Sequence, residues 1–400
     1  MTLALIIFRS LRQHLLSTII TALSIALAGG LLMSVWVVKV QSQATFTQVN
    51  TGFDAVLGAR GSKLQLVLNA IFHLEASPGN LAAADYEFIK RHPAVKLAIP
   101  IAVGDNLRGY RIVGTIPELF TEVELTPGKK FSLTAGQPFN PAEKEAVIGS
   151  FAALKLGLKV GDTFHPFHGL VYNEQDQHAD TYKVTGLLAP SNTPADKVIW
   201  IPLHGLQTMA GHDARAATDV SAVLIQLRSP TAGFMLDMMF NKQGNRLTFA
   251  YPIGAIMAEL FSKIGWFDQV LTLIAYLVAL VSAAGVLVAI YNSMTARSRD
   301  IAILRSLGAH RRLIFGAIVL EAATIGLLGM IASFAVYASI VTGVAIVIRA
   351  QTGVLLEAWA YNPVMLWAPL GMIGLCGLSG LLPAWKAYRT DIASNLAPIS

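Results

Sequence analysis

The sequence predicts an α-helical membrane protein with four transmembrane helices and a large mixed α/β extracytoplasmic domain inserted between helices 1 and 2. Three observations support this fold class. Apolar residues make up 54% of the 400 residues and charged residues only 14%, whereas ordinary soluble domains carry about 25% charged residues. Four segments are apolar and long enough to cross a bilayer. Between the first two of them, residues 41–262 carry the strand and helix patterns of a folded domain.

The four predicted spans are stretches almost free of charge that reach the roughly 20 helical residues needed to cross a bilayer. They cover residues 15–38, 267–292, 315–348 and 364–383. The third contains Glu321 and is long enough to tilt or to extend beyond the bilayer. The first exceeds the apolar core of about 7–15 residues usual in a signal peptide, which favours a retained anchor.

Basic residues flank the spans mainly on one side, and this asymmetry predicts the orientation of the chain. They are Arg9 and Arg12, then Arg297, Arg299, Arg305, Arg311 and Arg312, and finally Lys386 and Arg389. The positive-inside rule places both termini and the segment between spans two and three in the cytoplasm. The net charge of +6 is therefore largely topological, and it does not indicate nucleic-acid binding.

These assignments divide the chain into seven segments. They are a cytoplasmic N-terminus with the first helix (1–40), the periplasmic domain (41–262), a stalk end with the second helix (263–293), a cytoplasmic segment (294–313), the third helix (314–348), a short periplasmic loop (349–363), and the fourth helix with a cytoplasmic C-terminus (364–400). Because no proline follows Pro252 in "PIGAIMAELFSKIGWFDQVLTL" (252–273), we expect one continuous helix from the domain into the second span. A break at Gly265 is the alternative.

The periplasmic domain alternates strand-like and helix-like stretches without an internal repeat. "VKLAIPIAV" (95–103) and "RGYRIVGTI" (108–116) predict a strand pair joined by a turn at Gly104-Asp105-Asn106. The stretch "NLAAADYEFIKRH" (80–92) predicts a helix with Asn80 as its N-cap. Further strands are expected in 182–189, 197–203 and 222–229, and strand–helix pairs in 53–74 and 145–164.

The segment between spans two and three has both a basic and an apolar face. On a helix, Ile301, Leu304 and either Leu307 or Gly308 share one face, and Gly308 suits a helix C-terminus. A basic loop held by lipid headgroups, at about 1 kcal/mol per basic residue, would explain the arginines. It would not explain the apolar stripe, which indicates a protein partner.

Four stretches resemble one family in order along the chain: "FRSLRQHLLSTIITALSIALAGGLL" (8–32), "EAVIGSFAALKLGLKVGDTF" (145–164), "RSRDIAILRSLGAHRRLIFGAIVLEAATIGLLG" (297–329) and "GLLPAWKAYRTDIASNLAP" (380–398). They are similar to the MacB/FtsX-type permeases of ABC transporters, which include lipoprotein-releasing permeases. The third stretch is the most specific, although Asp300 stands where glutamate is frequent in the family.

The resemblance implies a homodimer or heterodimer of permeases and two copies of a separate cytoplasmic ATPase. The ATPase would dock on the segment between spans two and three, and its closure would move the stalks and the periplasmic domain. The implied coupling residues are Arg297, Arg299, Asp300, Ile301, Leu304, Arg305, Leu307 and Gly308. The chain lacks G-x-x-x-x-G-K-[ST], so ATP and Mg²⁺ would be bound by the partner and the chain itself is not predicted to be an enzyme.

Glu321 is an acid within a predicted span and therefore a candidate functional residue. It lies about 13 Å along the helix from Arg312, near the inner interface. Pairing with Arg311, Arg312 or a neighbouring helix would make it a structural anchor, which we favour over a transport or proton role. Small residues in the spans suit close helix packing; they include Gly29, Gly30, Ala283, Ala284 and Gly285.

Five of the nine histidines lie in one stretch of the periplasmic domain: His165, His168, His178, His204 and His212. In "HPFHGLVYNEQDQHAD", His165, His168 and His178 accompany several carboxylates, and imidazole with carboxylate suits Zn²⁺. The spacing fits no standard zinc motif, and Pro166 interrupts regular geometry. We therefore keep two hypotheses, a zinc site formed by these three histidines and a solvated polar loop.

Together these features predict the transmembrane subunit of an ABC transporter in a bacterial inner membrane, which exports or extracts a hydrophobic or envelope substrate. The expected partners are the ATPase dimer, a second permease copy, a periplasmic lipoprotein or adaptor, and membrane lipids. Two alternatives remain. One is a non-transporting scaffold that activates a periplasmic hydrolase, and the other is a transporter for metal or metal-complex homeostasis.

Overall fold

The computed structural model describes residues 3–47, 51–126, 128–209, 218–296, 303, 306, 308–357 and 359–389. The chain divides into two compact units. The first, here the membrane unit, consists of Met1–Gln41, Ile264–Ala345 and Glu357–Ser400. The second, here the sheet unit, consists of Ser42–Lys263 and Ile346–Leu356.

The described helices and strands follow one another along the chain. The helices are α1 (Leu3–Gln13), α2 (Leu15–Thr47), α3 (Lys63–Ala70), α4 (Ala83–Lys90), α5 (Glu118–Thr121), α6 (Ser150–Leu156), α7 (Leu203–Gln207), α8 (Pro230–Asp237), α9 (Ile253–Ala296), α10 (Arg311–Thr352), α11 (Val364–Ser379) and α12 (Leu381–Arg389). The strands are β1 (Ala55–Ala59), β2 (Val95–Leu107), β3 (Tyr110–Thr115), β4 (Glu124–Thr126), β5 (Lys129–Lys130), β6 (Leu133–Gly136), β7 (Glu145–Ile148), β8 (Thr163–Phe164), β9 (Phe167–His168), β10 (Tyr182–Leu188), β11 (Ile199–Pro202), β12 (Ala222–Leu227) and β13 (Leu247–Ala250).

The described residues contain four helical spans long and apolar enough to cross a membrane, the last formed by α11 and most of α12, which confirms the predicted number. By length and composition these spans are Leu15–Thr47, Ile253–Asn292, Arg311–Thr352 and Val364–Lys386. As predicted, α9 is one continuous helix of 44 residues with no break at Gly265. α10 has 42 residues, about twice the number that a bilayer requires.

Glycines bring α2 and α10 close together in the membrane unit. A Cβ atom added to Gly29 would lie 2.6 Å from Met330 Sδ, and one added to Gly30 would lie 2.6 Å from Val336 Cβ. Gly329 faces α2 in the same way, with Ile25 Cβ at 2.6 Å. Gly29 and Gly30 therefore serve close helix packing, as the small-residue pattern predicted. Among described residues, no such neighbour lies within 4 Å at Gly285.

The sheet unit is built on one mixed sheet of parallel and antiparallel strands. Its strand order is β13-β1-β12-β2-β3-β11-β7-β10-β6, with β8 paired to β10 and β9 paired to β2. The pairs β3–β11 and β7–β10 are parallel, and the other pairs of this sheet are antiparallel. Helices cover apolar side chains of the sheet, and the buried core includes Leu57, Ile99, Val113, Val147, Trp200 and Phe249. This architecture confirms the predicted mixed α/β domain.

The turn between β2 and β3 lies at Arg108 and Gly109, later in the chain than the predicted Gly104–Asn106. Asp105 and Asn106 continue β2, and the turn is formed by Arg108 and Gly109, whose φ angles are 49° and 85°. Positive φ at both central residues matches the twist of a two-residue hairpin. The register shifts between Val103 and Asp105, so the strand carries a β-bulge where the turn was expected.

The predicted N-cap of α4 is also wrong. Ala82 occupies the cap position and makes no side-chain hydrogen bond to the helix. Asn80 Oδ1 instead accepts a hydrogen bond from Ser221 Oγ at 3.4 Å. The reason is that Leu81 pairs with Val220 in an isolated bridge, which commits the preceding residue to the sheet rather than to the helix.

Candidate functional site

Polar and aromatic contacts join the ends of the membrane helices that carry the basic flanks. Glu321 in α10 accepts a hydrogen bond from the buried Ser10 hydroxyl in α1. The Arg311 guanidinium lies over the Tyr388 ring at 5.5 Å. These contacts tie α10 to α1 and α12, and the anchor role of Glu321 stays a prediction.

A second contact of this kind joins α12 to α9. Lys386 Nζ lies 4.2 Å from the centre of the Tyr291 ring and donates a hydrogen bond to its hydroxyl. Cation–π pairs of this geometry contribute about 0.5–1 kcal/mol at exposed sites. This contact links α12 to the end of α9.

Most of the predicted coupling residues lie outside the described residues: Arg297, Arg299, Asp300, Ile301, Leu304, Arg305 and Leu307. Within this segment, Ile303 and Ser306 are helical and exposed. Gly308 is exposed and has a φ of 95°, the left-handed conformation that the sequence predicted for a helix-terminating glycine. α10 begins three residues later, at Arg311.

The membrane unit contains an apolar cavity of about 690 Å³ between α2, α9 and α11. Trp36, Tyr276 and Trp367 contribute to its lining. Ligand sites in proteins typically have volumes of about 300–1,000 Å³ and mostly apolar walls. The cavity therefore has the size and polarity to hold a hydrophobic molecule.

Three of the four spanning helices have their ends inside the sheet unit. α2 enters this unit with its last residues, from Ser42 to Thr47, and α9 begins in it, from Ile253 to Lys263. Phe46 of α2 packs on Phe72 at 5.2 Å and on Phe261 of α9 at 5.8 Å, measured between ring centroids. A Cβ atom at Gly254 would lie 2.7 Å from Thr47 O, so the two helices approach too closely there for a side chain.

The end of α10 and the loop after it, Ile346–Leu356, also belong to the sheet unit. Lys197 Nζ donates a hydrogen bond to Gln351 O at 2.7 Å. Asn192 Oδ1 accepts one from the Leu355 N–H at 2.6 Å. These two bonds hold the segment against the loop that precedes β11.

The loop before β11 is itself rigidly built around Asp196, a buried carboxylate. Asp196 accepts hydrogen bonds from the backbone N–H groups of Ser191 at 3.0 Å and Asn192 at 2.9 Å, and from the Ser191 hydroxyl at 2.8 Å. Hydrogen bonds to an ionised acceptor are roughly twice as strong as neutral ones. Asp196 thus fixes the conformation in which Asn192 reaches Leu355.

A histidine lies behind this loop in an electropositive environment. Burial, followed by the charges of Arg111 and Lys197, lowers the pKa of His73 to about 3. Its ring meets the Trp200 ring edge-on at 5.7 Å. Burial also lowers the pKa of Lys197. His73 is therefore neutral at physiological pH, and acid would place a new positive charge beside two existing ones.

The histidine-rich stretch brings two of the three predicted zinc ligands together. His178 Nε2 lies 3.3 Å and His168 Nδ1 lies 3.4 Å from Asp105 Oδ1. His165 is not part of this group, since its Nδ1 lies 3.1 Å from Asp180 O. The third member, Asp105, was missed because its Gly-Asp-Asn context was assigned to a turn. The neighbouring Arg-Gly pair was the signal that could have placed the turn later.

The helices and the inserted domain define a class of protein, a four-span membrane protein with a large folded domain between the first two spans. Comparison with known families agrees with this assignment. The model of the MacB-like periplasmic core domain matches residues 17–233, and that of the FtsX-like permease C-terminal matches residues 272–392. The chain therefore belongs to the MacB/FtsX-type permease family of ABC transporters, as the sequence motifs predicted.

Two solved structures are similar to parts of the chain. The extracellular domain of the noncanonic ABC-type transporter YknZ from Gram-positive bacteria is 16% identical, with a TM-score of 0.31, and the match covers 49% of this chain and 99% of that one. The periplasmic region of MacB from Actinobacillus actinomycetemcomitans is 8% identical, with a TM-score of 0.36, and the match covers 53% and 94%. A comparison with curated proteins finds no match.

Proposed function

We propose that this permease couples ATP hydrolysis by a separate cytoplasmic ATPase to conformational change in its periplasmic sheet unit. One observation carries the proposal, namely that α2, α9 and α10 all end inside the sheet unit. Both termini and the segment between α9 and α10 would face the cytoplasm, in a bacterial inner membrane. A second permease copy, identical or related, and an ATPase dimer would complete the transporter.

The long helices are suited to transmitting force. α9 continues for 44 residues, or about 66 Å at 1.5 Å per residue, without an internal proline. A displacement applied near its last turn would therefore reach Phe261 with little bending. There the Phe46 contact passes the motion to α2 and the sheet unit, while Lys197 and Asn192 receive motion from α10.

The apolar stripe of Ile301, Leu304 and Leu307 is the surface that the ATPase would cover. Gly308 supports this hypothesis because its left-handed φ of 95° is the conformation common just after a helix C-terminus, and α10 begins three residues later. Under this proposal, ATP and Mg²⁺ bind only to the partner, and the permease is not an enzyme. Arg297, Arg299, Asp300 and Arg305 would hold the segment at the headgroups and frame the stripe.

The substrate would be a hydrophobic or envelope molecule that is exported or extracted. The apolar cavity of about 690 Å³ between α2, α9 and α11 supports this substrate class, since its walls offer little to a polar solute. A periplasmic lipoprotein or adaptor would accept the substrate, and surrounding lipids would be its source.

The test is the double substitution Leu304→Asp plus Leu307→Asp in the full-length permease. Two carboxylates on the stripe would have to be buried against the ATPase, and such desolvation is costly without a partner. We expect loss of ATPase copurification and of permease-stimulated ATP hydrolysis. A suitable source of candidate ATPases is the native host membrane.

The matched control is Ala302→Asp plus Ser306→Asp, which adds the same charge on the opposite side of the helix. This variant should retain most of the association. If both double variants bind the ATPase like the unmodified permease, the stripe is not the docking surface. If both lose binding equally, charge rather than the stripe decides the association.

A further inference from the structure

Asp105, His168 and His178 form a cluster of ligand-type side chains in the sheet unit. One nitrogen of each histidine and one oxygen of the aspartate lie within 4.8 Å of one another. The two imidazole rings are 5.4 Å apart and nearly perpendicular. Asp105 lies on β2, His168 on β9 and His178 in the loop before β10, so the cluster depends on the folded domain.

The local fold directs each of these side chains to one point. β2 and β9 pair with Asp105 directly opposite His168, and opposed residues on paired strands have neighbouring side chains. The bulge at Gly104 changes the alternation of β2 just before Asp105. Asn106 holds the strand end of β9, because its Nδ2 donates to Gly169 O at 2.9 Å.

His178 is positioned by a separate backbone contact. Its N–H donates to Pro166 O at 2.9 Å, and the preceding residue bridges Phe167. The side chains of Asp105 and His178 are 0% and 5% exposed, whereas that of His168 is 56% exposed. The cluster is therefore preformed on its inner side and open to solvent on its outer side.

The distances within the cluster also fit a shared metal ion, although the His178 Nε2···Asp105 Oδ1 contact is itself within hydrogen-bonding distance. The two N···O separations of 3.3 and 3.4 Å exceed the usual range of about 2.7–3.2 Å for N–H···O bonds. Ligand atoms bound to zinc at about 2.0–2.1 Å in a tetrahedron are about 3.3 Å apart. The two histidine nitrogens lie within 4.8 Å of each other, so reaching a tetrahedral spacing requires them to approach by at most about 1.5 Å; the exposed side chain of His168 can make that movement.

We propose that Asp105, His168 and His178 bind Zn²⁺, or a similar divalent transition metal, in the periplasmic domain. Two imidazoles and one carboxylate form a three-ligand set of the type that leaves a fourth position open. That position faces solvent beside His168, where water or a donor atom of a bound partner completes the coordination. The site requires neither ATPase coupling nor the membrane cavity. Its test is therefore independent of the test of the proposed function.

The experiment uses full-length permease in detergent, purified with an affinity tag that contains no histidine. Zn²⁺ is titrated in competition with a chromophoric chelator, and Co²⁺ absorption reports the coordination geometry. We expect one tight site per chain with a tetrahedral Co²⁺ spectrum. Removing a ligand with His168→Ala or Asp105→Asn should weaken Zn²⁺ binding more than about 100-fold, since even second-sphere changes cost 10–100-fold.

The matched control is His165→Ala, which removes an exposed histidine from the same stretch and should leave the affinity unchanged. Thermal melting without metal checks that the variants fold, and the exposed side chain of His168 makes its removal the safer variant. The proposal is overturned if the unmodified permease binds no Zn²⁺. It is equally overturned if His168→Ala binds Zn²⁺ as tightly as the unmodified protein does, or if His165→Ala alone abolishes binding.

Discussion

The two units of this permease use the same apolar residue types in opposite ways. In the membrane unit, large side chains such as Leu16 and Val281 are 74% and 70% exposed, while the close helix contacts are made at Gly29 and Gly30. In the sheet unit, Leu57 and Phe249 are fully buried. Lipid is as apolar as leucine, so burial drives the folding of the sheet unit in water but not helix association in the bilayer.

This difference indicates what holds each unit together. The sheet unit depends on the volume of its core side chains, because their removal both exposes apolar surface and leaves cavities. The membrane unit depends on the absence of side chains where helices meet. Substitutions of opposite kinds, large to small in one unit and small to larger in the other, therefore test the comparison.

The largest effect is expected for Phe249→Ala in β13. Phe249 is 0% exposed and stacks on Phe240 at 5.9 Å. Truncating a buried phenylalanine costs about 3–5 kcal/mol. Hydrogen exchange of the full-length protein should show this loss as faster opening of β1, β12 and β13.

The control for this change is Leu16→Ala in α2, which removes a large side chain that is 74% exposed. It should alter the exchange of the membrane helices by less than about 1 kcal/mol, because lipid can fill the space. Equal losses for the two variants would contradict the distinction between the units.

Local sequence patterns predicted most of the membrane unit and less of the sheet unit. The spans and the continuous helix α9 depend on runs of apolar residues without proline, which are properties of a single segment. Asp105 depends on a bulge and on pairing with β9, more than 60 residues away in the chain, and no local pattern encodes that partner. Asn80 failed as a predicted cap for a similar reason, since its neighbour Leu81 pairs with Val220.

The second effect is a sensitivity to acid in the sheet unit. The pKa of His73 is lowered from 6.5 to about 3 in the folded state. Between these two pH values the unfolded chain carries a proton on His73 and the folded unit does not. Stability is then lost as the pH falls from about 6.5 toward 3. Between pH 7 and pH 5 the free energy of unfolding should fall by about 1–2 kcal/mol on account of His73.

His73→Asn removes the titrating group and suits the backbone, since His73 has a φ of 54° and asparagine tolerates that region. Denaturant unfolding of the full-length protein at pH 7 and pH 5 gives the measurement. The variant should lose about 1–2 kcal/mol less than the unmodified protein over this interval. A pH dependence that is identical in both proteins would show that His73 is not the acid-sensitive group.

The smallest expected change in stability comes from adding one methyl group in the membrane unit. In Gly30→Ala the new Cβ would lie 2.6 Å from Val336 Cβ and 3.0 Å from Ser333 O. Neither atom is the end of a flexible side chain, so α2 and α10 must separate. Overpacking destabilises a protein by about 1–3 kcal/mol. The higher helix propensity of alanine offsets up to about 1 kcal/mol of this loss. The net loss of stability should therefore be about 1 kcal/mol.

Gly285→Ala introduces the same methyl group into α9, where no described atom outside the local helix lies within 4 Å of the new Cβ. This control should be neutral or slightly stabilising, by at most about 1 kcal/mol. Thermal melting in lipid nanodiscs measures both effects. The Tm of Gly30→Ala should be lower than that of the unmodified protein, and the Tm of Gly285→Ala should be unchanged or higher. A lower Tm for Gly285→Ala would mean that another surface, such as a second permease copy, packs against α9 there, and the helix contacts within one chain would then be only part of what stabilises the membrane unit.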